Sequence, residues 1–174
     1  EDFYGSLGEI YKDNVDIIMC ESMSSIFEGR NASRVAKEFS ERVWLSWTNR
    51  GHQPDQLPST EALSKAVDFS IEADVECTLI NCSHADMASN SIKELKRASR
   101  FGIFANSSTF KEVDLSIATK DVDAIHHLNS EKISANEYAM IALSWVKEGA
   151  FVVGGCCGTT VEHTRQIKLL MDRL

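Results

Sequence analysis

The chain has 174 residues, 43% of them hydrophobic and 25% charged, with a formal net charge of −8. This is the balance of a globular domain large enough to bury a core. An acidic chain with no basic run argues against nucleic acid or an anionic membrane surface as a partner. No apolar run reaches the roughly 18 to 20 residues of a membrane span, and no signal-peptide pattern stands at the start. The five cysteines are odd in number and two are adjacent, which suits a reducing compartment, so a cytoplasmic location is expected.

Taken in order, Glu1 to Asp13 reads as the end of a helix, with Phe3, Leu7 and Ile10 or Tyr11 at helical spacing. Val15 to Cys20 is a short apolar strand that ends at Glu21-Ser22. A helix is expected from about Ile26 to Ser40, with Phe27, Val35 and Phe39 inward. Val43 to Trp47 is the next strand, followed by a polar loop from Thr48 to Ser59 that holds both prolines. Glu61 to Ala73 is a helix with Leu63, Ala66, Val67 and Ser70 on one side. Cys77 to Ile80 is a third strand, ending in Asn81-Cys82-Ser83-His84.

The helix after it is expected from about Met87 to Ser99, with Ile92 and Leu95 inward. Phe101 to Ala105 is a fourth strand that ends at Asn106, and Lys111 to Ser130 reads as a long loop with a short helix. Ser134-Ala135-Asn136-Glu137 has the form of a capping box and opens a helix to about Glu148. Ala150 to Val153 is a fifth strand. Thr159-Thr160-Val161-Glu162 is a second capping-box pattern, opening the closing helix to Leu174.

Five βα units predict an α/β fold with a parallel sheet, and short continuous apolar strands predict burial on both faces. Glu21, Cys82, Asn106, Cys156 and Cys157 all fall just after strands. In parallel α/β folds, residues in that position converge on one site.

The segment Val152 to Thr160 carries the most chemistry. A β-branched run leads into Gly154-Gly155, then into two adjacent cysteines, Gly158 and a helix start. Adjacent cysteines have Cα atoms about 3.8 Å apart, whereas a relaxed disulfide needs about 4.4 to 6.8 Å. A soft metal such as zinc suits the pair better, and a helix N-terminus favours ionised thiols. Cys82 then offers a third thiol, leaving one tetrahedral position open, as in catalytic zinc sites. Two other readings stand beside this one: the cysteines are small buried residues, as Cys20 and Cys77 are read, or the glycine turn cradles a phosphate.

Ile80-Asn81-Cys82, with Val153-Gly154-Gly155-Cys156-Cys157-Gly158-Thr159-Thr160 far downstream, closely resembles the zinc-dependent homocysteine S-methyltransferase family. Asp16 to Met23 resembles that family's strand ending in Glu-Thr, with Ser22 in place of the threonine, and Glu28 fits the acidic position in the following helix. Val43 to Ser46 resembles the next strand. Phe104-Ala105-Asn106-Ser107 is similar to the family's Tyr-Pro-Asn segment, with Ala105 in place of proline.

The resemblance implies a (β/α)8 TIM barrel, zinc on Cys82, Cys156 and Cys157, and a substrate site that includes Glu21 and Asn106. It implies transfer of a methyl group from a small cationic donor, of the S-methylmethionine or S-adenosylmethionine type, to the thiolate of homocysteine, giving methionine. Glu21 then holds the ammonium group of the amino acid. His84, His126, His127 and His163 are read as surface or loop residues, because the cysteines already fill the metal role.

Five strands do not close an eight-stranded barrel. Residues 1–174 are therefore expected to form a single domain matching the C-terminal part of the barrel, without its first three βα units. Open sheet edges are a liability for a lone domain, so the expected alternatives are that the chain is a fragment of a longer enzyme, that a second copy or another chain completes the barrel, or that a shortened homologue does something else. An inactive zinc-binding part-barrel, acting as an interaction or regulatory module, is the competing reading.

Overall fold

The computed structural model describes residues 2–110 and 130–174. The expected loop after Lys111 lies, apart from Ser130, outside the described residues, as do His126 and His127. Helix α1 (Asp2–Tyr11) leads to β1 (Ile18–Met23), α2 (Ile26–Phe39), β2 (Val43–Trp47), α3 (Leu63–Glu72) and β3 (Cys77–His84). Two short helices follow, α4 (Ala85–Asn90) and α5 (Ile92–Leu95), and then β4 (Phe101–Asn106). After β5 (Ser108–Phe110) and β6 (Ser130–Lys132) come α6 (Ala135–Lys147), β7 (Val152–Gly155) and α7 (Val161–Met171).

The principal sheet has five parallel strands in the order β1-β2-β3-β4-β7, and β5 pairs with β6 in a separate antiparallel ribbon. The expected α/β fold with five parallel strands is what the chain adopts. Each strand is joined to its neighbour through helical connections on one face, and all five C-terminal ends lie together. Among the described residues, β1 and β7 each have one neighbour, so the sheet is open at both edges. The central strands β2, β3 and β4 are almost wholly buried. Burial on both faces fails at the edge strand β7, which is half-buried or exposed throughout, because nothing among the described residues covers its outer side.

Val43, Leu45 and Trp47 point to the helical layer and are at most 1% exposed. Trp47 donates its indole N–H to Ser70 Oγ at 3.0 Å and meets the Phe69 ring edge-on. A second wedge forms under β4 and β7, where Tyr138 and Trp145 of α6 are fully buried and packed edge to face. At the N-terminal ends of the strands, Glu76 accepts from Arg42, Arg100 and the Trp44 indole.

Several boundaries differ from those expected. The first strand starts at Ile18, so Glu21 lies inside it. The helix expected from Met87 to Ser99 is two short ones, broken at Ser91, whose hydroxyl donates to Pro54 O. Phe27 is 75% exposed rather than inward, while Val35 is buried as expected. Phe3 and Ile10 also face outward, because α1 packs through Gly8, which lies against the Phe39 ring. A glycine is the contact there since any Cβ would enter that ring. The capping box of α6 forms as read, with Ser134 and Glu137 exchanging hydrogen bonds. Among the described residues, no helix is long and apolar enough to cross a membrane.

Candidate metal centre

The segment between β7 and α7 is held against the end of β4 by three hydrogen bonds and braced by a fourth within itself. The Cys156 N–H donates to Ala105 O at 2.8 Å, and the Cys157 N–H to Asn106 Oδ1 at 3.0 Å. Ser107 N–H donates to Cys157 O at 3.0 Å, and the Thr159 hydroxyl to Cys156 O at 2.7 Å. Gly158 completes the turn at φ +76°, where a Cβ would also lie 2.7 Å from Ser107 Oγ. No other residue fits there without strain.

Beneath this turn, the Tyr138 hydroxyl lies 2.7 Å from Ala105 O and 2.8 Å from Gly154 O. Its single proton serves one carbonyl at a time. Ala105 O, which already accepts the Cys156 N–H, shares that proton with Gly154 O.

Cys82 arrives from β3. It has φ +50°, unusual for a residue with a Cβ, and sits where the register against β4 slips between Asn81 and His84. The slip turns the thiol toward the β7–α7 segment. The sulfurs of Cys82 and Cys157 are 3.8 Å apart, those of Cys156 and Cys157 are 4.0 Å apart, and all three lie within 4.8 Å of one another.

Tetrahedral thiolates about 2.3 Å from a zinc ion have sulfurs about 3.8 Å apart. The donor set and its spacing therefore fit a tetrahedral thiophilic metal. Cys82 and Cys156 are half-buried and Cys157 is exposed, so the cluster opens on one side. That leaves access for a fourth ligand.

Without a metal the three thiols share protons unequally. The Cys82 thiol donates to Cys156, which holds Cys156 down at about 6, helped by the Cys157 N–H and opposed by burial. The same bond pushes Cys82 far up, with burial adding to the rise. Cys157 is raised by burial and then by the charge on Cys156. Cys20 and Cys77 are buried, as read from the sequence, and desolvation pushes them up to about 11 and about 12.

Glu21 is exposed and lies in the wall of a groove of about 360 Å³ between α1, β1 and α2, together with Tyr4, Leu7 and Glu28. Asn106 is 7% exposed, with Oδ1 engaged by Cys157. The strand ends that carry Glu21 and Cys82 are joined by Asn81. Its Oδ1 accepts from Ser22 N–H at 3.0 Å and from the Ser46 hydroxyl at 2.6 Å, and its Nδ2 donates to Ser22 Oγ at 2.8 Å.

Two of the histidines read as surface or loop residues are buried. His84 is 3% exposed, with Nδ1 2.9 Å from Ser108 Oγ. His163 is 9% exposed and packs edge-on against Tyr138. His163 also corrects the reading of the last helix. The N-cap is Thr160 rather than Thr159, and the reciprocal partner is the His163 ring, whose Nδ1 accepts from Thr160 N–H at 3.1 Å. Glu162 looked like the partner because capping-box glutamates are common, and an imidazole in that role has no sequence signature. Asn81 and Tyr138 were also missed as site residues. Asn81 stood in the motif beside Cys82, whereas nothing near Tyr138 in sequence points to the cysteines.

The family model described as homocysteine S-methyltransferase matches residues 1–171. The homocysteine S-methyltransferase YbgG of Bacillus subtilis (strain 168) is 25% identical over 155 residues, which are 87% of this chain and 45% of that protein. The apo form of the homocysteine methyltransferase MmuM from Escherichia coli superimposes with a TM-score of 0.67 at 17% identity, covering 97% of this chain and 57% of that one. Its metallated form superimposes with a TM-score of 0.66 at 17% identity, covering 97% and 51%. The chain spans about half the length of the relatives it matches.

Proposed function

Since the chain belongs to the homocysteine S-methyltransferase family, we propose that its three-thiol centre takes part in zinc-dependent transfer of a methyl group to homocysteine, giving methionine. The observation that carries this reading is the spacing of the sulfurs of Cys82, Cys156 and Cys157. Those residues are the zinc ligands. Zinc supplies Lewis acidity there, which lowers the pKa of a substrate thiol and makes it a thiolate at neutral pH.

The residues of the chain do the rest. Cys156, already low in pKa, is the thiol readiest to bind metal. Asn106 fixes the Cys157 amide and so the direction of that thiol. Glu21, exposed near the end of β1, pairs with the ammonium group of homocysteine. The substrate sulfur, its proton lost to solvent, forms a bond to the donor methyl carbon. The carbon–sulfur bond of the donor breaks, and its electron pair stays on the leaving thioether. A sulfonium of the S-methylmethionine or S-adenosylmethionine type suits this because it leaves as a neutral molecule, and an acidic chain tolerates a cationic donor. We place the protein in the cytoplasm, where its five thiols stay reduced.

A second reading starts from the edges of β1 and β7, which are unpaired among the described residues. In it, the part-barrel binds metal without turnover and docks on a second copy or another chain. Zinc content and methionine formation from homocysteine and each sulfonium donor, measured on the wild type and Cys156→Ser, separate the two. Near-stoichiometric zinc and zinc-dependent turnover, both lost in the variant, support the enzyme. Zinc without turnover in a stable complex supports the module, and turnover that survives removal of the metal overturns the proposed mechanism.

A further inference from the structure

We propose that Asn81 is a positioning residue that sets the span between the ammonium end and the sulfur end of the site, and hence the length of amino acid it accepts. This rests on the reading of the centre as a homocysteine site. Within the strands of the sheet, the described non-glycine residues with left-handed backbone are Ser22, at φ +58°, and Cys82, at φ +50°. Each lies where a ladder slips, β1 against β2 between Cys20 and Met23, and β3 against β4 between Asn81 and His84. Such irregularities re-aim side chains at functional sites. One of them carries Glu21 and the other carries the Cys82 thiol.

Left-handed backbone is unfavourable for residues with a Cβ and persists only where the surroundings over-determine it. At Ser22 the Asn81 side chain, 1% exposed, does so. It gives Ser22 both an acceptor for its N–H and a donor for its Oγ, and it also accepts from Ser46. Only a carboxamide offers both functions at that size without a charge. Thr48 adds a second tie across β2, its N–H to Met23 O at 3.2 Å and its hydroxyl to Cys82 O at 3.2 Å. The strand segments carrying carboxylate and thiol are thus held at a fixed separation. An amino acid gripped at its ammonium group and its sulfur is measured against that separation, and homocysteine exceeds cysteine by one methylene.

The test uses protein loaded with Co²⁺, which takes tetrahedral thiolate sites and reports on them through its visible spectrum. L-homocysteine and L-cysteine are titrated separately against that spectrum. A methylene is worth about 10- to 200-fold in such discrimination, and the wild type is expected to prefer homocysteine within that range. Asn81→Ala is expected to move the preference toward unity by about 10-fold, within the reach of a residue supporting metal ligands. Ser22→Ala, which removes only the Nδ2 contact, shifts it the same way by less, and decides the matter if Asn81→Ala does not fold. A residue with a merely structural role would lower the melting temperature and leave the preference alone. An unchanged preference in the folded variants, or a wild type that binds both amino acids equally, overturns the inference alone. A wild type that binds neither overturns the functional reading and the inference with it.

Discussion

Asn106 Oδ1 accepts the backbone N–H of Cys157 at 3.0 Å, so a side chain at the end of β4 sets the conformation of a candidate metal ligand that follows β7. Asn106→Ala leaves that half-buried N–H unpaired. The expected cost is about 1 kcal/mol of stability and about 10-fold in zinc affinity, typical of residues that orient metal ligands. Asn106→Asp keeps the acceptor and should retain most of the affinity. Competition with a chromophoric chelator measures both, and an Asn106→Ala protein with wild-type affinity would show that the contact is incidental.

Tyr138→Phe removes one hydroxyl and leaves the ring against Trp145 and His163. The carbonyls of Ala105 and Gly154 lose their buried donor. Urea denaturation should show a loss of about 1 to 2 kcal/mol. A neutral result would mean that water replaces the hydroxyl without cost.

Gly158→Ala combines a left-handed backbone with a clash against Ser107 Oγ. The backbone alone costs about 1 to 2 kcal/mol. In the double variant with Ser107→Ala the clash is gone and the backbone penalty remains, so the second substitution should recover only part of the loss. Full recovery would mean that φ is not strained at this position.

In metal-free, reduced protein, Cys156 should be the first site cysteine alkylated by iodoacetamide. Thiolate is the reactive form, so its rate rises with pH through about 6 and is already high at neutrality. Cys20 and Cys77 stay unmodified in the folded state, being buried and raised to about 11 and about 12. Peptide mass mapping after a brief pulse at pH 5, 6, 7 and 8 reads the order. Faster labelling of Cys82 than of Cys156 would contradict the proton sharing described above.

The Glu76 carboxyl is held below its ordinary value, first by its hydrogen bond from Arg42, with Trp44 and the charge of Arg100 adding to the effect. A depressed folded-state pKa means that the contribution is fully present above the unfolded carboxylate value of about 4.3. It is lost as the pH falls through the lower folded value. Glu76→Gln should flatten the acid limb of stability below about pH 4.3 and leave the dependence between pH 6 and 8 unchanged. Thermal melts across that range measure it, and an acid limb equal to that of the wild type would show that the pair contributes nothing.

What the sequence determined by itself was local or repetitive. Five apolar runs separated by helical patterns specify parallel strands, because a crossover returns each strand to the same direction. Ser134 and Glu137 are three residues apart, so their capping box was legible without any tertiary contact. Cys82, Cys156 and Cys157 stood in recognisable words, each near the end of a strand.

What only the tertiary structure decided depends on register and on burial between distant segments. Cys82 meets Cys157 because β4 lies between β3 and β7, with Asn81 opposite Phe104 and Phe104 opposite Gly154. Phe27 and Ile10 have helical spacing but face outward, since periodicity gives a face without saying which neighbour covers it. His163 caps a helix and is buried because Tyr138 of another helix lies against it. Asn81 joins two strand irregularities that no local pattern announces. Hydrogen bonds and sulfur contacts between strands are set by the registers of the whole sheet, and a register is a property of pairs of segments rather than of either alone.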